Sequence, residues 1–332
     1  MSRRGWVLFA LMSVIWGIPY LMIKVAVEGV SAPVLVFART AVGAAVLLPL
    51  ALHAHGPREL RDLLRRYWLP MLLFSVVEIL APWLLLADAE RVLTSSMTGL
   101  LIAVSPVVSV LIVRLTGGAE RLGAWQWAGL AVGFGGVTVL AAPELGGGDT
   151  WSIMEVLLTA CGYALGTLIT ARWLKDVPAL PMTALCLTFA ALVYTPPAVM
   201  TWPDAVPSGR VLAALAGLAL ICTALAFLVF FALIREVGPS RALVFTYVNP
   251  AVAVLAGVLL LGEPLTVTIV VSFVLILGGS ILAMTRRPDP DTTDPQPEPR
   301  AAAPEAAISA TATSEHVDSE NGGSEAVDSE TR

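Results

Sequence analysis

The chain has 332 residues, of which 57% are hydrophobic and only 14% charged, with a mean hydropathy of +0.82. A water-soluble domain of this length needs far more polar surface to cover itself, so the composition excludes one and turns much of the apolar surface toward lipid. The net charge of −5 belongs to the end of the chain, where Arg286 to Arg332 holds 11 acidic and 4 basic residues, and the near-neutral remainder gives no sign of a nucleic-acid partner.

Apolar runs of about 20 residues are what a bilayer core demands. Ten are predicted as transmembrane helices, at 6–27, 33–52, 67–87, 93–115, 124–142, 151–173, 181–200, 211–234, 241–261 and 266–285. The first follows Met1-Ser2-Arg3-Arg4 as a secretory leader would. It contains Lys24, lacks a small-residue cleavage site and is followed at once by further runs, so it is expected to be an uncleaved helix. Only the connections 53–66 and 201–210 are long, the first opening on His53-Ala54-His55-Gly56-Pro57. Cys161, Cys186 and Cys222 lie inside apolar runs without metal-ligand spacing and read as packing residues. The stretch 286–332 alternates prolines with acids and repeats Ser314–Glu320 as Ser324–Glu330. It cannot bury a core and is expected to be a disordered acidic cytoplasmic tail.

Basic residues set the orientation. With the N-terminus in the cytoplasm, fourteen Arg and Lys residues fall at cytoplasmic ends and loops, Arg58, Arg61, Arg65 and Arg66 among them, against Arg91 and Arg210 outside. Both termini are therefore expected on the cytoplasmic side of the cell membrane.

The stretch from Ser96 to Gly118 is echoed 144 residues later from Ser240 to Gly262, matching Val104/Val248, Pro106/Pro250, Leu111/Leu255 and Gly118/Gly262; a one-residue slip brings Glu120 onto Glu263. Five helices per half is an odd number, so the halves enter the membrane from opposite faces. The expected fold is an all-α integral membrane protein with two inverted five-helix repeats, 1–142 and 143–285, followed by the tail.

Trp16-Gly17, Lys24, Pro33 and Arg39 stand in the first two helices, Pro106 and Glu120-Arg121-Leu122 in and after the fourth, and Gly238-Pro239-Ser240-Arg241 before the ninth. The ninth continues through Asn249-Pro250 to Gly262-Glu263-Pro264-Leu265. In this order the motifs resemble the EamA-type family of the drug/metabolite transporter superfamily, over 1–285. The resemblance implies ten helices around a central cavity and secondary transport, often export, of small metabolites such as amino acids, sugars or drug-like compounds.

An ionisable residue at a helix centre costs about 2.5–3.5 kcal/mol on insertion scales and usually faces a cavity or a partner. Glu78 is predicted about 13 Å deep from the outer face, Arg39 about 9 Å and Lys24 about 5 Å. Glu78 is thus a candidate proton-coupling carboxylate, with Arg39 or Lys24 as contacts for an anionic substrate group. Their structural alternatives are an Arg39–Glu78 ion pair and a Lys24 that snorkels to the headgroups. Pro19, Pro106 and Pro250 each remove a backbone donor, and interruptions matched between halves point to a binding site. Trp16 and Gly17 would add an aromatic wall and a close approach, while Ser105, Tyr247 and Asn249 would supply hydrogen bonds. Glu120 and Glu263 read as helix caps or gate residues, Glu155 as a carboxylate favoured by a helix N-terminus. The Gly129/Gly133 and Gly162/Gly166 pairs read as close helix packing.

No phosphate loop, HExxH pair or nucleophile elbow is present, so neither catalytic residues nor a metal or cofactor site is expected. The expected function is a secondary transporter, an exporter, of an amino-acid-like or drug-like metabolite by alternating access, with a proton gradient as candidate energy source. A small-molecule substrate and membrane lipid are its expected partners, in a monomer or homodimer. The alternative is a membrane sensor or scaffold acting through the tail.

Overall fold

Helices begin where a side chain replaces the missing acceptor for the first N–H groups. In the computed structural model, which describes residues 2–115, 123–145, 150–238 and 242–284, Ser2 accepts from the Gly5 N–H at 2.9 Å and opens α1 (Arg3–Ile15). Ser31 caps α3 (Ala32–Phe74), Thr94 caps α5 (Ser95–Ile102) and Ser208 caps α10 (Gly209–Ala216) in the same way. The other helices are α2 (Pro19–Ala26), α4 (Ala81–Ala89), α6 (Ser105–Leu115), α7 (Ala124–Leu145), α8 (Thr150–Trp173), α9 (Ala179–Met200), α11 (Ala226–Val237), α12 (Asn249–Leu261) and α13 (Val267–Met284). Among the described residues there is no strand, and nine helical runs are long and apolar enough to cross a membrane.

The longest of these runs, Ala32–Ala89, covers 58 residues and includes what the sequence reads as the 53–66 connection. Helix persists on both sides of Gly56, where φ of +76° and ψ of 159° kink the chain, and breaks again at Tyr67. Between them Leu60 is buried while Arg58, Arg61, Arg65 and Arg66 are exposed, the pattern of an interfacial amphipathic segment.

Several spans read as continuous are interrupted. The first breaks between Ile15 and Pro19, the fourth at Ala103-Val104, and the ninth passes from a 3₁₀ turn (Leu243–Tyr247) into α12. Pro19, Pro106 and Pro250 stand in the first turn of the following segment, where a missing N–H costs nothing. Pro106 cannot serve the Ile102 carbonyl, and the Ser105 hydroxyl does so instead at 2.6 Å. Two π segments, Ser75–Leu80 and Gly217–Leu225, start 142 and end 145 residues apart, and each precedes a continuing helix.

The elements pair across the two halves: α3 with α9, α5 with α12, α7 with α13, α4 with α8, and α1 with α11. Without water to expel, such pairs depend on close packing. A Cβ on Gly129 would run into the Ala283 backbone and one on Gly279 into the Gly133 backbone, so α7 and α13 touch main chain to main chain. Gly162 and Gly166 lie likewise against Val77, Pro82 and Glu78. Leu192, Val199, Leu259 and Val274 face outward, and Trp6, Trp68, Trp125, Trp127, Trp151 and Trp173 are exposed at or near helix ends, as lipid contact and an interfacial belt require. The tail and Glu120 lie outside the described residues.

Candidate functional site

Arg39, on α3, is 7% exposed. Its Nε donates to the Thr223 hydroxyl at 2.8 Å, and its guanidinium carbon lies 3.7 Å from the centroid of the Trp83 ring. The two π segments help place both partners. Thr223 lies within the second and donates its own hydroxyl proton five residues back to the Leu218 carbonyl at 2.9 Å, which leaves its oxygen free to accept from Arg39. Trp83 follows the first, one residue after Pro82, and Tyr194 donates to the Leu80 carbonyl at 2.7 Å beside it. Tyr20, Tyr163, Cys222 and Glu90 are within electrostatic reach of the guanidinium. This is a cation held flat on an aromatic face, with donors that no carboxylate occupies. The ion pairs among the described residues are Arg4–Glu236, His55–Glu59 and Arg91–Asp88, so the Arg39–Glu78 pair that similar depths allow is not formed.

Glu78 lies in the first π segment against Gly166, where any β-carbon would meet its carboxylate. Its Oε2 is buried without a hydrogen-bond partner. Lys24 is engaged within the protein. Its ammonium donates to the carbonyls of Glu90 and Leu93, each at 2.8 Å, and so ties the turn after α4 to α2.

Glu90 escaped the sequence reading, and the partners of Glu263, read there as a cap or gate residue, were not named. Glu90 is fully buried and neither carboxylate oxygen has a partner; burial pushes this acid well above the ordinary carboxylate value, and Lys24 opposes the shift. The available signal was helical register: Trp83, Leu86, Ala87 and Glu90 share one buried face, whereas Asp88 and Arg91 are exposed. Instead of capping the helix that follows it, Glu263 accepts at Oε1 from the Ser95 N–H (2.7 Å) and hydroxyl (2.9 Å), and at Oε2 from the Ser96 N–H (3.0 Å) and hydroxyl (2.5 Å). It caps α5 from the opposite half of the chain. Gly262, at φ +70°, makes the left-handed turn that ends α12 and aims this side chain.

The other predicted residues are occupied locally. Trp16 packs among Phe227, Phe230 and Phe245, with centroids 5.1 to 5.8 Å away, and Gly17 receives Val252. Asn249, its amide nitrogen turned toward acceptors, donates to the carbonyls of Ser13 and Phe245 at 3.2 Å. Gly17 sends its N–H to Val14 (3.0 Å), so Asn249 replaces the donor that the break removes from Ser13. Tyr247 donates to the Met284 sulfur. Glu155 lines a groove of about 200 Å³ with Pro33, Leu84, Asp88 and Arg91. No His, Cys, Asp or Glu cluster among the described residues suits a metal ion.

Long apolar helices paired in this way, with buried charge inside them, define a multi-pass membrane protein. The model of the EamA-like transporter family matches residues 3–142 and 150–285, and the chain belongs to that family of membrane transporters. It is 31% identical over 265 residues to the "Uncharacterized inner membrane transporter YedA" of Escherichia coli (strain K12), spanning 78% of this chain and 83% of that one. It is 26% identical over 305 residues to the "Uncharacterized transporter YvbV" of Bacillus subtilis (strain 168), spanning 86% and 93%. A crystal structure at 19% identity aligns with a TM-score of 0.60 over 86% of this chain and 98% of its own, a likeness of fold.

Proposed function

We propose that the protein is a secondary transporter that exports a small amino-acid-like or drug-like metabolite by alternating access, with ten membrane crossings in two inverted repeats. The halves would be 1–142 and 143–285, with both termini cytoplasmic in the cell membrane. Ten crossings follow if the break at Gly56 counts as the turn between two spans. The inverted repeat is supported by the π segments at matched positions and by pairings that exchange under the same offset, α4 with α8 for α11 with α1. The chain would act as a monomer or homodimer in contact with lipid.

The observation that carries this reading is Arg39. It is a buried cation held by Thr223 of one half and Trp83 of the other, with no carboxylate ion-pair partner among the described residues, and it suits the anionic group of a substrate. The test is flux of a metabolite panel into proteoliposomes with and without a pH gradient. Movement of no compound would count against transport and favour a sensing role.

Glu78 is the candidate for energy coupling. Glu78→Gln is expected to abolish proton-driven accumulation while leaving folding and downhill exchange in place, because the amide keeps the fit against Gly166 and loses the titratable proton. Accumulation at the wild-type level would remove Glu78 from that role. Deleting residues 288–332 is expected to leave transport rates within about twofold, since such a composition contributes nothing to a packed core. Loss of flux in the truncated protein would instead assign the tail a part in transport.

A further inference from the structure

Two carboxylates, Glu90 and Glu263, stand together at the Ser95 end of α5, and neither forms an ion pair with Arg39. Glu263 is held as an acceptor by four donors of Ser95 and Ser96, which joins the end of α12 to the start of α5. Glu90 is its opposite, fully buried with both oxygens unbonded. The charged and titratable groups that face Glu90 are Lys24 and Tyr20 from α2, Arg39 from α3 and Glu263 itself. Lys24 donates to the main-chain carbonyls of Glu90 and Leu93 and makes no ion pair with the Glu90 carboxylate. A carboxyl with no hydrogen bond in such a place suits the neutral acid far better than the anion.

The turn that follows Glu90 runs directly into the two serines of the clasp. We infer that Glu90 is a proton-binding site whose protonation keeps the Glu263–Ser95/Ser96 clasp shut and whose deprotonation releases it. The inference rests on the alternating-access reading, in which helix ends at one membrane face separate and rejoin.

Loss of the proton to water leaves a second negative charge beside Glu263 and a carboxylate that competes for Lys24. If the ammonium turns to it, the carbonyls of Glu90 and Leu93 lose their donor, and the turn before Ser95 is no longer tied to α2. Water entering as the ends part then solvates the anion. The clasped state has the higher proton affinity, so falling pH populates it and rising pH opens it.

The experiment is a distance measurement between spin labels at Val92→Cys and Leu265→Cys, which lie on either side of the clasp and are 50% and 58% exposed. Cys161, Cys186 and Cys222 are replaced by alanine, and the protein is held in lipid nanodiscs between about pH 5 and about pH 9, a range that includes documented buried carboxyls. The expected result is one short distance at low pH and a longer population that grows with pH. Glu90→Gln is expected to keep the short distance throughout, and Glu263→Ala to show the longer one at every pH. A distribution that ignores pH in the labelled parent would overturn the proposal without any Glu90 variant, as would a Glu90→Gln protein that still shifts with pH. The distances are read without substrate, so failure of the panel to yield a transported compound is separable from failure here.

Discussion

Arg39→Ala is expected to lower the rate of substrate flux at subsaturating concentration by about 30-fold or more, with little change in thermal unfolding. Truncating one member of a buried, hydrogen-bonded charge pair costs about 2–5 kcal/mol, and about 1.4 kcal/mol corresponds to tenfold in affinity. The partner lost in this case would be the substrate's anionic group. Among the described residues Arg39 bonds the Thr223 hydroxyl and lies on the Trp83 face without an ion-pair partner, so removing a cation that was costly to bury breaks no salt bridge. Arg39→Lys keeps the charge and forfeits the planar fork and the flat stacking on Trp83, and it is expected to recover flux only in part. Initial rates in proteoliposomes, set beside unfolding curves, separate the two effects. A falling unfolding temperature with unchanged flux would reduce Arg39 to a strut between α3 and the second π segment.

Gly279→Val is expected to destabilise the protein by about 3 kcal/mol or more, because overpacking costs about 1–3 kcal/mol where side chains can yield and more where backbone must move. A Cβ there meets the main chain of Gly133, and the reciprocal contact is Gly129 against Ala283. Neither helix has a flexible side chain to withdraw. The neighbouring Gly278 has open space where its Cβ would be, so Gly278→Val is the matched control and is expected to be near neutral. Thermal unfolding of both variants in detergent, together with elution profiles, gives the comparison. Similar curves for the two would show that α7 and α13 can separate at little cost.

The apolar runs, their approximate ends and the 144-residue echo were legible because lipid imposes a length and hydropathy that hold residue by residue. The helical content of the connection 53–66 was not legible for a local reason: Gly56-Pro57 signals a turn, while Leu60, Leu63 and Tyr67 carry helical spacing just beyond it. Arg39 could be singled out as a buried charge, but its partner Thr223 is 184 positions away in the chain. Glu263 was visible as a boundary residue, yet nothing local says that it caps a helix 168 residues earlier. Glu90 was hidden by its neighbours, since Asp88 and Arg91 make the segment look like an ordinary polar connection. The π segments leave no compositional mark, because one extra residue in a helix changes register and not hydropathy.

Under the proposed role of Arg39, that extra residue makes chain length itself a determinant of what this protein recognises. Removing any one residue from Gly217–Leu225 would leave an apolar helix able to run in regular α register, still long enough for its span. Everything on one side of the deletion would swing round by about 100°, however, and Thr223 would leave Arg39 for another face of the bundle. A single deletion in Ser75–Leu80 would turn Trp83 away in the same manner. Losing or gaining one codon would therefore change what surrounds Arg39, with no exchange of residue types and no change of fold.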